Sequence, residues 1–225
     1  MLCGTNMTDI KISNRSAILR LLHEAGAMSR KQIAARLKLT PATITVIINE
    51  LMNESILVEG NSVPNAGAVG RREVMVEISR EKYVALGLAL SQGLVKFTVV
   101  NLHGEIIHEE TFKLPEILTP EYFAETIGRQ IQLKIASYGY SENFIIGIGI
   151  TVCGVVDFAN GIILDSDGIW EEKNVPIVKM FRKQFSFPVI AANNVRSYAN
   201  AYAFLQHDSQ LQNMLFIRNE ATMGV

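Results

Sequence analysis

Thr40-Pro41 is the most restrictive pair of residues in the chain. A threonine at the N-cap accepts a hydrogen bond from a backbone N–H of the first turn. A proline directly after it has helical φ and no N–H to leave unpaired. The pair therefore starts a helix and stops whatever preceded it. Behind it Ile44, Ile47, Ile48 and Leu51 recur at three- and four-residue spacing, which marks the face to be buried and leaves Thr43, Thr45, Val46 and Asn49 outward. Upstream, Ser29 and Gln32 stand at capping-box spacing, and Ile33, Ala34 and Leu37 supply the buried stripe of a short helix ending near Lys38-Leu39. A first helix carries Ile18, Leu19, Leu21 and Leu22 on one side; Asn14 or Ser13 is its expected cap and Ala25-Gly26 its end.

Two helices joined by a tight turn, the second opening on small hydroxyl residues, form the pattern of a helix-turn-helix, whose second helix must come close to base edges in the major groove. Ile56-Leu57-Val58-Glu59 and the run from Glu73 to Ile78 read as two strands around the turn-rich GNSVPNAGAVGRR, which makes a wing. The expected contacts follow from side-chain chemistry. Thr40, Thr43, Thr45 and Asn49 face the major groove, and Arg30, Lys31 and Lys38 face phosphates. Arg71 and Arg72 serve the wing, at phosphates or in a narrow minor groove whose negative potential favours a guanidinium. A structural or protein-binding module with a solvated basic face would show the same elements. The ordered set of helix, helix, tight turn, Thr-Pro-started helix and hairpin with paired arginines favours DNA.

Charge supports a division of the chain. Residues 1–80 hold ten Lys/Arg against seven Asp/Glu, a net of +3, so the whole-chain charge of −1 leaves −4 for residues 81–225. Only the first part has the balance that a polyanion attracts. The expected domains are thus a winged helix-turn-helix over 1–80 and an α/β domain over 81–225. With 48% hydrophobic residues, the chain is neither a disordered tail nor a fibrous array. It has no apolar run of about 18 residues and no signal-peptide pattern, so it is expected to be cytoplasmic, without membrane contact. Cys3 and Cys153 lack metal-ligand spacing and are expected to be free thiols.

From Tyr83 the segments YVALGLALS, LVKFTVVN and EIIHEETFKL read as a β-meander with turns at Ser91-Gln92-Gly93 and Asn101-Leu102-His103-Gly104. Thr119-Pro120-Glu121 then starts a helix with Phe123, Ile127, Ile131 and Ile135 on one face, and FIIGIGITV returns as a buried strand ending in a turn at Gly154. In these residues, and in GIGITVCGVVDFANGIIL, IWEEKNVPI and FPVIAANNVRSYANAYA, the chain resembles the ROK family of bacterial repressors and sugar kinases, in particular its xylose and N-acetylglucosamine repressor branch. The resemblance runs over roughly residues 10 to 225. It implies an actin-like, ribonuclease-H-like domain behind the winged helix, its second lobe incomplete, built around 189–191, a helix, and a strand at 214–217.

The departures from that family separate regulator from kinase. Phosphoryl transfer to a sugar needs a carboxylate to accept the hydroxyl proton and Gly-rich hairpins whose N–H groups hold phosphates. The position matching the catalytic aspartate is Asn194, and an amide takes up no proton at neutral pH. The first phosphate hairpin reads Ala89-Leu90-Ser91-Gln92-Gly93 and the second Glu220-Ala221-Thr222 before Met223-Gly224. Three losses argue against a sugar kinase and for a repressor of carbohydrate genes that binds operator DNA as a homodimer and senses a sugar or sugar phosphate. The resemblance places the effector at Gly154, Asn193 and Asn194. Ala192 stands where the family has an acid, and a dimerising DNA binder that has lost sensing is a further alternative. Asn193 and Asn194 could equally only cap the helix containing Tyr198, Ala201 and Leu205. Trp170, near Asp165 and Asp167, fits either sugar stacking or the core, and His103 and His108 read as surface residues. No cofactor is expected: the family's zinc motif would lie beyond Val225. The chain stops in the middle of an implied hairpin and reads as a piece of a longer protein.

Overall fold

The computed structural model describes residues 6–63, 73–115, 119–205, 214–219 and 223–224. It divides into two compact units, Met1–Tyr83 and Val84–Val225.

In the first unit, helix α1 (Met7–Ala25) packs with α2 (Arg30–Leu37) and α3 (Pro41–Asn53) against a small sheet of β1 (Met28–Ser29), β2 (Leu57–Val63) and β3 (Glu73–Ile78), in the order β1-β3-β2. Ile18, Leu22, Ile33, Ile44, Ile48, Leu51, Leu57 and Val76 form the fully buried centre. Each such aliphatic side chain contributes about 1.5–3 kcal/mol on leaving water. The start of α1 differs from expectation. Its N-cap is Asn6, which forms a capping box with Asp9, so Ser13 and Asn14 lie inside the helix. Hydrophobic spacing marks only the part of a helix that is buried, and residues 8–13 are exposed. What supports this extra length is polar. Lys11 Nζ lies 2.8 Å from a Glu50 oxygen, and Arg15 bridges Glu50 at 3.5 Å and Glu54 at 2.5 Å, tying α1 to the end of α3. The two-residue β1, paired antiparallel with β3 at Met28↔Val76, is also unanticipated. Arg71, Arg72 and the turn of the wing lie outside the described residues.

The hydrogen bond from Lys11 holds the Glu50 carboxyl below its ordinary value of 4.5, with Arg15 adding to it. A carboxylate depressed in the folded state stabilises above its unfolded value, and that contribution is lost as pH falls through the lower folded value. The wild type is therefore expected to be more heat-stable than Glu50→Gln at pH 7, with the gap closing below about pH 4.5. Thermal melts of both proteins by circular dichroism read this directly. A gap unchanged at pH 3 removes Glu50 as its source.

The second unit is built on a five-stranded sheet. Strands β4 (Val84–Ser91), β5 (Leu94–Asn101) and β6 (Ile106–Lys113) form the meander, α4 (Pro120–Ser137) crosses over, and β7 (Ile145–Val152) returns parallel to β4. A hairpin of β8 (Val155–Asp157) and β9 (Ile162–Asp165) and the short α5 (Ile177–Arg182) lead to β10 (Val189–Asn193), which runs parallel to β7. The strand order β10-β7-β4-β5-β6 is the ribonuclease-H-like arrangement. Alternation works along these strands: Leu86, Leu88, Leu90, Phe97, Ile148, Ile150, Val189 and Ala191 point to the side covered by α4 and α5 and are buried. Helix α6 (Asn194–Leu205) follows β10, and Arg218–Asn219 (β11) pairs with Met223–Gly224 (β12).

Two expectations need correction. The strand at 189–191 does not open a second lobe; it is the edge of the first sheet, because Val189–Asn193 registers residue for residue on 148–152. Residues 214–217 form no strand. Pairing begins at Arg218. A short apolar run carries strand propensity, but its partner decides where pairing starts.

Candidate functional site

In the first unit Thr40 does what its position requires: Oγ1 accepts from the Thr43 N–H at 3.2 Å and lies 2.8 Å from the Thr43 hydroxyl. Lys38 turns the chain between α2 and α3 with left-handed φ of 54°, its N–H on the Ala34 carbonyl. The turn brings the beginning of α3 to the surface. Thr40, Pro41, Ala42, Thr45, Val46 and Asn49 are exposed, while Ile44, Ile47, Ile48 and Leu51 anchor the opposite side. Lys31, in the first turn of α2, and Lys38, at the turn into α3, are exposed. Arg30 departs from the expected phosphate role. Its guanidinium lies 3.5 Å from Asn49 Oδ1, 3.4 Å from Met52 sulfur and 3.5 Å from Glu59, so it braces α3 against β2.

In the second unit the order of strands reverses at β4, flanked by its hairpin partner β5 and by parallel β7. In open α/β sheets, ligands bind beyond the carboxyl ends of the strands at such a reversal. Register brings the ends together: Leu90 pairs with Val152, and Val152 with Asn193. Three remote segments thus converge, the Gln92-Gly93 turn, the loop at Cys153-Gly154, and the start of α6. Gly154 has φ of 132°, and a Cβ there would stand 2.1 Å from the Asp165 carbonyl oxygen, so the loop fits only glycine. Asn193 donates from Nδ2 to the Gly154 carbonyl at 2.8 Å, and its Oδ1 accepts from the N–H groups of Val195 and Arg196. It caps α6 and ties it to Gly154 at once. Asn194 is half-buried beside it, its Oδ1 on the Val195 N–H.

Contacts without any local signal complete this edge. Gln92 Nε2 donates to the Asp167 carbonyl at 3.3 Å, Cys153 Sγ donates to Asp167 Oδ2 at 3.2 Å, and Asp167 N–H donates to Asp165. A hydrogen bond from Lys173, followed by one from the Asp167 N–H, holds the Asp165 carboxyl below its ordinary range. Trp170 is not available to stack on a sugar. It is buried against Phe123, ring centroids 5.4 Å apart, and its Nε1–H has no hydrogen-bond partner among the described residues. His108 is half-buried and lies flat on Tyr138, centroids 3.7 Å apart, rather than standing on open surface.

Residues 86–225 match the ROK family, more than half of the chain. The chain belongs to the ROK family. Residues 13–58 match the winged helix-turn-helix DNA-binding family. Among relatives, this ROK chain is 26% identical over 213 residues to the Escherichia coli K12 DNA-binding transcriptional dual regulator NagC, covering 95% of this chain and 52% of NagC. It is 27% identical over 191 residues to a putative xylose repressor of Caldicellulosiruptor sp. strain Rt8B.4, covering 84% of this chain and 47% of that one. With the E. coli K12 repressor Mlc it shares 26% over 198 residues, 88% of this chain and 48% of Mlc. A crystal structure of a ROK family transcriptional regulator, described as a homolog of the E. coli Mlc protein, superposes with a TM-score of 0.70 at 24% identity, covering 85% of this chain and 48% of that chain, and shows the same fold. The chain spans about half the length of the curated relatives it matches.

No group of three or more His, Cys, Asp or Glu among the described residues is placed to hold a metal ion. Nor is any described helix long and apolar enough to cross a membrane.

Proposed function

We propose that this ROK chain is the operator-binding and effector-sensing part of a transcriptional repressor of carbohydrate genes. The observation that carries the reading is the exposed face of α3, presented by a Thr40-capped turn directly after α2, on a unit joined to a ROK domain. Thr40, Thr43, Thr45 and Asn49 meet the major groove. Lys31 and Lys38 meet phosphates, Arg71 and Arg72 serve the wing, and Arg30 positions Asn49. A homodimer on a two-fold operator, in the cytoplasm, is the working assembly. Gly154, Asn193 and Asn194 hold a sugar or sugar phosphate, supported by their convergence at the strand-order reversal and by relatives named as N-acetylglucosamine and xylose repressors. Phosphoryl transfer is disfavoured: Asn194 cannot act as the base, and the Gln92 amide is bonded to the Asp167 carbonyl at the first hairpin.

Fluorescence anisotropy on duplexes from the region upstream of its own gene tests the first half. Binding is expected at low salt, and Lys31→Ala with Lys38→Ala is expected to flatten the slope of log affinity on log salt by roughly two per bound head. No binding to any fragment of that region at low salt overturns the reading. Titration calorimetry with xylose and N-acetylglucosamine is expected to give saturable heat. ATP-dependent phosphorylation of either sugar makes the chain an enzyme instead.

A further inference from the structure

The outward face of α3 is unusual in what it lacks. PATITVIINELMN contains no Arg, Lys, Gln or His, so no side chain of this helix can make the bidentate contact to guanine that dominates specific readout, or the Gln contact to adenine. Its hydroxyls are engaged in bonds within the chain as well. Thr45 Oγ1 donates to the Pro41 carbonyl at 2.8 Å, and the Thr40 and Thr43 hydroxyls are joined to each other at 2.8 Å. What the face offers to a groove is apolar: the methyl of Ala42, the methyl of Thr45, and Val46, which is 57% exposed on a helix whose other large aliphatic side chains are buried at the opposite side. Asn49 is an exposed amide on this side, with exposed Asn53 one turn further along, and the natural partner of such an amide is adenine. Lys31 in the first turn of α2 and Lys38 at the turn into α3 are exposed and supply positive charge to the helix pair that carries this apolar strip.

An isolated β-branched residue at the centre of such a strip has one good partner in duplex DNA, the thymine 5-methyl group, which no other base presents in the major groove. We propose that α3 reads thymine methyls, with Val46 as the central specificity determinant, Ala42 and Thr45 beside it and Asn49 on a neighbouring adenine, so that the core of each half-site is built from A·T pairs. This rests on the DNA-binding reading and says which sequence feature that binding selects.

The test uses the 225-residue chain and two pools of randomised duplexes, one made with thymidine and one with deoxyuridine, which lacks only the methyl. Duplexes enriched from the thymidine pool are expected to share A·T-rich half-site cores. In anisotropy titrations, replacing a contacted thymine by deoxyuridine is expected to weaken binding about fourfold, the worth of one buried methyl. Val46→Ala, at an exposed position that carries no core packing, is expected to keep the wild-type melting profile and to bind the thymidine and deoxyuridine duplexes equally at its contact. Enriched duplexes with G·C cores, or uracil replacements that all leave wild-type affinity unchanged, overturn the inference while leaving DNA binding intact. Enrichment from neither pool overturns both.

Discussion

Phe123→Ala is expected to lower the melting temperature of the second unit by roughly 10 °C. Phe123 is fully buried on α4, with Trp170 at 5.4 Å and Phe181 at 6.1 Å between ring centroids, and Phe181 continues to Phe185 and Phe187. Truncating a buried phenylalanine costs about 3–5 kcal/mol, part lost transfer energy and part cavity, and a unit of this size loses about 2–4 °C per kcal/mol. Scanning calorimetry of the full chain reads the shift. A change under about 3 °C means that the aromatic neighbours collapse into the space, and the cluster is then softer than its packing indicates.

Gly154→Ala is expected to follow, and to couple stability to effector binding. The added Cβ meets backbone, the Asp165 oxygen at 2.1 Å and its carbonyl carbon at 2.9 Å, at a φ of 132°. Backbone strain of this type costs about 1–3 kcal/mol, and the clash forces the 153–154 loop away from 165–166. Displacement also breaks the bond from Asn193 Nδ2 to the Gly154 carbonyl. The control is Gly93→Ala, at φ 73° with nothing within 4 Å of the new Cβ, which carries strain without collision. The expected results are a clearly larger loss of melting temperature for Gly154→Ala than for Gly93→Ala, and loss of saturable sugar heat in the former. Equal losses for the two variants place the whole effect in φ and remove the collision. Retained sugar heat in Gly154→Ala removes that loop from the effector site.

Much of the head was legible because its signals are local. The cap at Thr40, the proline after it and the capping box of Ser29 with Gln32 act within one turn, and the structure shows each of them. The start of α1 was not legible, because Lys11 and Arg15 find Glu50 and Glu54 some forty positions away. The same distance hid the brace formed by Arg30, whose sequence neighbourhood resembles any exposed basic turn. In the second unit, Trp170 sits among acidic and glycine residues, a composition that suits a surface loop as well as a core anchor. Ser166 resolves the difference: buried, it accepts the Trp170 N–H and donates to the Trp170 carbonyl, a closed turn that drives the indole inward.

By itself, then, the sequence determined most of the helices and longer strands and their apolar faces, since capping, proline geometry and hydrophobic period are short-range, but not the start of α1, the short β1 or the strand limit at Arg218. It also determined the family, through motifs that lie along single segments. Only the tertiary structure decided that β10 joins the sheet rather than opening a new lobe, and that Gln92, Gly154, Asp167 and Asn193 stand at one edge. Those residues are up to 101 positions apart, and nothing in a strand names its neighbour. Strand pairing is set by the whole buried layer that α4 and α5 cover, and the site is a consequence of that layer's register.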